Sequence, residues 1–125
     1  MGTDSIGEGQ ADKFIRACRT TIGDSLRSIT YFTRDSYEQI YLRSDLEQDA
    51  DLTGFVDYES LGFDAPAAYR GSELGEYRFT IRVFENGYLV RVNTSDEGVF
   101  VTTDNLTLRG FEEVATAIAE VLAGD

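Results

Sequence analysis

Acidic residues occupy every second position in the middle of the chain, a spacing that could bind calcium. The four acids are Asp45, Glu47, Asp49 and Asp51. The comparison with a calcium-binding loop then fails, because its sixth position would be Ala50 rather than glycine and its twelfth Val56 rather than glutamate. We therefore expect a solvated acidic loop here, and we expect no metal or other cofactor.

The sequence also lacks the side chains that most catalytic sites use. It contains no histidine, which excludes Ser-His-Asp and Cys-His nucleophiles and imidazole metal sites. Its one cysteine, Cys18, cannot build a thiolate zinc or iron–sulfur site within one chain, and it lies on the apolar stripe of a predicted helix. Neither glycine-rich phosphate-binding motif occurs. These features predict a protein that is not an enzyme.

Arginine is the one chemically distinctive residue that the sequence gathers in one place. In the alternating run 77–84, Arg78 and Arg82 fall on the side opposite the apolar residues. Arg91 of the following run, with Arg43 and Tyr41 of an earlier one, is a candidate for the same face. The candidate interaction residues are thus Arg78, Arg82, Arg91, Arg43 and Tyr41.

Three interpretations of these arginines remain open. They could pair internally with acids of segment 45–59 and tie that segment over the sheet. They could form a protein interface, for which arginine and tyrosine are favoured residues. They could also bind an anion or nucleic acid, although high salt weakens phosphate binding steeply.

Four aromatic residues suggest a different function. Phe55, Tyr58, Phe63 and Tyr69 flank or lie within a glycine-punctuated loop, 62–75, and could line a ligand pocket between that loop and the sheet. Such residues also commonly belong to a core. A small-ligand sensor is therefore the alternative function.

The elements that would position these residues follow from hydrophobic periodicity. The predicted helices are 11–22, a weaker 51–59, and 108–122, the last capped by Asn105 or Thr107. The predicted strands are 28–33, 37–43, 77–84, 88–93 and 99–103, with Asn86-Gly87 closing a tight hairpin because both residues tolerate positive φ. Residues 1–9 predict a flexible leader.

The predicted fold class is α+β, in one domain spanning residues 1–125. A five-stranded antiparallel sheet, made of a hairpin plus a three-stranded meander, carries flanking helices in the order α-β-β-α-β-β-β-α. This order resembles the roadblock, longin and profilin-like domains, in which helices sandwich a five-stranded sheet.

Composition indicates the solvent for which the chain is suited. The net charge is −12, from 23 acidic and 11 basic residues, and Lys13 is the only lysine. A strong acidic charge with almost no lysine is typical of halophilic proteins, whose carboxylates keep them hydrated and soluble in molar salt. No run approaches membrane-spanning length and no signal peptide is evident, so we expect a cytoplasmic location.

Segments 31–43 and 77–103, the latter including Phe84-Glu85-Asn86-Gly87-Tyr88, resemble an uncharacterised family of small haloarchaeal proteins. The resemblance implies a halophilic, cytoplasmic protein and carries no site residues with it. We predict a non-enzymatic interaction or adaptor module that self-associates through its sheet. Its expected partner is a second copy or another protein, and neither nucleic acid nor a membrane is expected.

Overall fold

The strand order places one strand at each edge of a single antiparallel sheet. In a computed structural model, which describes residues 6–52 and 54–124, the five strands follow the order β2-β1-β5-β4-β3. The strands are β1 (Leu26–Thr33), β2 (Tyr37–Leu42), β3 (Thr80–Phe84), β4 (Gly87–Asn93) and β5 (Glu97–Thr103). The helices are α1 (Glu8–Ile22), α2 (Phe55–Glu59), α3 (Ala65–Ala68) and α4 (Leu108–Leu122). The predicted α+β fold class is confirmed.

The larger core lies between the sheet and the helix pair α1 and α4. Phe14 and Cys18 of α1 and Ile118 of α4 are fully buried against strand residues such as Val90 and Val101. Burial raises the pKa of the Cys18 thiol to about 12, so this thiol stays protonated near neutral pH and is a core residue rather than a nucleophile. We call this side of the sheet the α4 face.

A smaller core covers the opposite side, which we call the α2 face. Phe63, which follows α2, is buried there with Phe32 of β1, Leu89 of β4 and Phe100 of β5, and Phe55 packs at its margin. The sheet therefore separates two cores of unequal size. Within the described ranges, 6–52 and 54–124, no helix is both long and apolar enough to cross a membrane.

Several boundaries differ from the sequence-based prediction. Helix α2 begins at Phe55 rather than residue 51, because Gly54 has a left-handed φ of 83°. The predicted loop 62–75 is partly helical: a 3₁₀ helix at Ser60–Asp64 leads into α3, whose first turn contains Pro66. The predicted leader 1–9 is also too long, because α1 starts at Glu8. Residues 1–5 of that leader lie outside the described part of the chain.

Turn and cap chemistry explain two further boundaries. The β3–β4 hairpin is confirmed, but it pairs Phe84 with Gly87, and neither Asn86 nor Gly87 has a positive φ. Glycine is required at position 87 for space instead, because a Cβ there would lie 2.4 Å from the carbonyl oxygen of Thr103. Of the two predicted caps of α4, the hydroxyl of Thr107 accepts from the Gly110 amide at 3.0 Å.

Candidate interaction surface

Strand β3 forms one edge of the sheet and offers backbone groups for further pairing. Its pairing with β4 runs from Thr80 opposite Arg91 to Phe84 opposite Gly87, where the hairpin turns. The two-residue turn makes Phe84 and Gly87 a hydrogen-bonded pair. Because the direction of the backbone hydrogen bonds alternates along an antiparallel strand, the N–H and C=O groups of Thr80, Arg82 and Phe84 point towards β4. The N–H and C=O groups of Ile81 and Val83 consequently point away from the sheet.

The side chains of β3 and α2 leave apolar surface along this edge. Val83 is 74% exposed on the α4 face, and Phe84 is 47% exposed on the α2 face. Tyr58 of α2 is 68% exposed. Burying such side chains is favourable at about 25 cal/mol per Å² of apolar surface, so this edge is suited to contact with another molecule.

A shallow groove of about 380 Å³ lies between α2 and β3. Its lining residues are Gly54, Phe55, Tyr58, Glu59, Arg82 and Phe84. The Phe55 ring stacks on Phe84, with centroids 5.8 Å apart, and on Phe100 at 6.2 Å. The groove wall is thereby anchored to the smaller core, and its surface is mainly apolar.

Glu59 fixes α2 to the sheet through two guanidinium groups. Its Oε1 accepts from Nη1 of Arg91 at 2.8 Å, and its Oε2 accepts from Nε of Arg82 at 2.6 Å. Glu59 and Arg91 are almost completely buried, whereas the Arg82 side chain is 44% exposed. One carboxylate is therefore shared by two guanidinium groups, and the more exposed of the two, that of Arg82, lies at the edge of the sheet.

Arg91 is held from several sides by its own chain. Besides Glu59, its Nε donates to Oδ1 of Asn93 at 3.0 Å, and its Nη2 donates to the hydroxyls of Thr80 at 2.9 Å and Tyr77 at 3.1 Å. The 3₁₀ helix packs directly over the guanidinium at Gly62. Arg91 is thus a structural residue of the α2 face rather than part of an exposed interaction surface.

The other arginines proposed for an interaction face lie elsewhere. Arg78 precedes β3 and reaches α4, with Nη2 at 3.5 Å from the Thr116 hydroxyl and Nη1 at 3.9 Å from a Glu112 carboxylate oxygen. The alternation assumed for run 77–84 fails there because β3 begins only at Thr80. Of the five residues proposed for this face, Arg82 is the one that lies on the groove.

Arg43 and Tyr41 lie at the opposite edge, near the end of β2. Nη1 of Arg43 donates to Asp104 and its Nε donates to Asp45, both at 2.6 Å. The hydrogen bonds to Asp104 and Asp45 raise the pKa of Arg43, and the hydrogen bond from Arg43 lowers the pKa of Asp45. The Tyr41 hydroxyl accepts from Arg19 of α1 at 2.9 Å. The five candidate residues therefore do not form one surface.

The four aromatic residues proposed for a ligand pocket are also separated. Phe55 and Tyr58 line the groove, as described above. Phe63 is buried against Phe32 at a centroid distance of 5.2 Å. Tyr69 stacks on Tyr77 at 6.1 Å, outside the groove. Two of the four thus share a concave surface, and that surface opens between α2 and β3.

The two features that define this surface, Glu59 and the open edge of β3, are not evident from local sequence patterns. Glu59 falls on the same side of α2 as Phe55, and an acid on an apolar side of a helix is the signal that it pairs with sheet arginines. The exposed edge of β3 is harder to predict from the sequence, because it depends on the order of the strands in the sheet. Among the residues that the structure describes, no group of three or more His, Cys, Asp or Glu side chains could hold a metal ion.

The fold of this chain is similar to that of several small domains of known structure. A structure of "MglB with tetrameric arrangement" is 11% identical, with a TM-score of 0.61 over 99% of this chain and 98% of that one. The gliding protein MglB from Thermus thermophilus is 9% identical, with a TM-score of 0.57 over 100% and 99%. Myxococcus xanthus MglB is 14% identical, with a TM-score of 0.52 over 96% and 95%. The predicted roadblock-like fold is confirmed by these neighbours.

The family assignment comes from the sequence itself. Residues 12–123 match the model of the family described as a domain of unknown function, DUF7522, and the chain belongs to this family. No curated protein matches the chain. The identities to the MglB structures are low, so those similarities establish the fold alone.

Proposed function

We propose that this protein is a non-catalytic interaction module that self-associates through the free edge of β3. The observation that supports the proposal most directly is an unpaired edge strand bearing exposed Val83 and Phe84 beside an apolar groove. Natural proteins normally protect such edges with charges, bulges or covering segments, because an open edge pairs with other chains. An open apolar edge is consistent with a surface that is covered in an assembly.

The other edge of the sheet is better protected. Strand β2 exposes Glu38, and the Gln39 side chain donates to the Ala50 carbonyl oxygen at 2.9 Å, which brings the acidic segment around 45–51 beside this strand. Charge on an edge strand disfavours pairing with a second acidic chain. The two edges therefore differ, and β3 is the one suited to association.

The proposed setting is a halophilic cytoplasm. A net charge of −12 with a single lysine supports it. In molar salt the Debye length is about 3 Å, so long-range attraction between charges contributes little to association. Apolar contacts and backbone hydrogen bonds are not screened in this way, and these are what the β3 edge offers. One structural neighbour is itself described in a tetrameric arrangement, which supports self-association for a chain of this fold.

The test is the oligomeric state of the wild type and of Val83→Glu, measured by size exclusion with light scattering in about 2–3 M KCl. We expect a dimer for the wild type and a monomer for the variant. Burying an unpaired carboxylate costs several kcal/mol, so the dissociation constant should rise at least about 100-fold.

The matched control is Tyr37→Glu, which places the same charge at an exposed aromatic position on the opposite edge strand. It should leave the dimer intact, and circular dichroism should show folded protein for both variants. A monomeric wild type, or a dimer that Val83→Glu does not weaken, would refute the proposal.

A small-ligand sensor is the second candidate function, and the groove lined by Phe55 and Tyr58 is the observation that favours it. A ligand that binds only the folded state stabilises it by RT ln(1 + L/Kd), where L is the ligand concentration, which is about 2.7 kcal/mol at a ligand concentration of 100 times Kd. A metabolite panel in thermal-shift assays at high salt should raise the melting temperature only if the groove binds one of its members. No shift for any compound, combined with a dimer, would favour the interaction module.

A further inference from the structure

We infer that the second copy pairs antiparallel to β3 in a register centred on Val83, so that Arg82 of each copy lies beside Phe84 of the other. This inference rests on the proposed function and specifies its contact. It assigns Arg82 and Phe84 as the residues that determine which register, and which partner, the edge accepts.

Backbone direction limits the registers that a two-fold pair can adopt. The outward-facing groups belong to Ile81 and Val83, so hydrogen bonding across the new edge must use these residues. In a two-fold antiparallel pair, one residue, the centre of the register, lies opposite its own copy. Centres on Ile81, Arg82 and Val83 satisfy this condition. A centre on Val83 joins the two Val83 residues and pairs Ile81 of each copy with Glu85 of the other.

Side-chain chemistry selects among the three centres. A centre on Arg82 would place two guanidinium groups directly opposite each other on one face, which is unfavourable. A centre on Ile81 would place Val83 and Phe84 opposite residues 79 and 78, which precede β3, so neither exposed apolar side chain would face the β3 strand of the other copy. A centre on Val83 brings the two exposed Val83 side chains together on the α4 face and covers both Phe84 side chains on the α2 face.

The charge around Glu59 favours the same arrangement. The carboxylate of Glu59 is shared by Arg91 and Arg82, and only Nε of Arg82 is engaged with it. The two terminal nitrogens of Arg82 have no acceptor in the described part of the chain, and this half-exposed side chain lies on the open edge. An aromatic ring attracts a weakly hydrated guanidinium, and directly opposite residues are within reach of each other, so Phe84 of the second copy is a suitable neighbour.

Cysteine cross-linking tests the register. Under mild oxidation in high salt, Val83→Cys should give a covalent dimer in good yield, because paired residues lie about 5.5 Å apart between Cα atoms, within disulfide reach. Ile81→Cys should give little, because its two copies would be four residues apart along the strand, about 13 Å. The native Cys18 is fully buried and should not contribute.

The outcomes separate the register from the proposed function. A dimer that cross-links through Ile81→Cys but not Val83→Cys, or through neither, overturns the register and leaves self-association standing. A wild type that is monomeric by light scattering removes both. A dimer that cross-links selectively through Val83→Cys supports both.

A double-mutant cycle tests the contact between Arg82 and Phe84. Phe84→Leu and Arg82→Gln should each weaken the dimer about tenfold, because each dimer contains two such contacts. The double variant should be weaker than wild type by much less than the product of the two effects. Since the cycle cancels the loss of Phe84 stacking on Phe55 within each copy, strictly multiplicative effects would overturn the contact.

Discussion

Replacing Glu59 with alanine is expected to lower the free energy of unfolding by about 3–5 kcal/mol, because removing one partner of a buried ion pair leaves an uncompensated charge. The charge left behind is Arg91, which is almost completely buried under α2, and Arg82 at its side loses the same acceptor. Urea unfolding in high KCl measures the loss without adding an ionic denaturant. Salt screens buried pairs much less than exposed pairs, so the effect should persist in molar KCl.

An exposed acid provides the control for this experiment. Glu113 lies 3.7 Å from Arg109 in a solvent-exposed pair one helical turn apart on α4. Glu113→Ala should change stability by less than about 0.5 kcal/mol. Glu59→Gln should lie between the two, since an amide oxygen still accepts a hydrogen bond but carries no charge. A cost below about 1 kcal/mol for Glu59→Ala would show that α2 is held by its aromatic contacts rather than by this carboxylate.

The C-terminal helix and the strands illustrate what local sequence determines. Helix α4 was predicted at 108–122 and occurs at Leu108–Leu122, because its apolar period is regular and Thr107 supplies a cap. The hairpin and the meander were also predicted, because β-branched and aromatic residues alternate between clear turns. Local patterns were sufficient for these elements.

The middle of the chain shows why the rest could not be predicted. Residues 51–75 have weak periodicity, and their structure depends on packing Phe55 and Phe63 against strands far away in sequence. Internal pairing of arginines with segment 45–59 was one open interpretation, and Glu59 with Arg91 and Arg82 realises it. Which acid pairs with which arginine is set by the docking of α2, a long-range contact that spacing along the chain does not encode.

The exposed edge of β3 depends on topology in the same way. Strand β5 lies between β1 and β4, so the hairpin and the meander join through their first and last strands. This order leaves β3 and β2 outermost. The sequence predicted five strands but not their order, and it therefore predicted arginines for the interface where the structure offers an apolar edge with one arginine.

Gly62→Ala is expected to destabilise the protein by about 3 kcal/mol, at the upper end of the usual cost of overpacking a core. A Cβ at this position would lie 2.2 Å from Cζ of Arg91, far inside van der Waals contact. The guanidinium cannot easily move aside, because Glu59, Asn93 and Thr80 hold it. Thermal unfolding at high salt should show a melting temperature about 10 °C below wild type.

Two comparisons identify the cause of that loss. Gly9→Ala adds a methyl group to α1, where nothing lies within 4 Å, and should be neutral or slightly stabilising because alanine favours helices. In an Arg91→Met background, the flexible thioether can yield to the new methyl group, so Gly62→Ala should cost much less than in the wild type. If Gly62→Ala destabilises the Arg91→Met variant as much as it destabilises the wild type, the close packing over Arg91 is not what constrains position 62. Glycine is then required there for the backbone of the 3₁₀ helix.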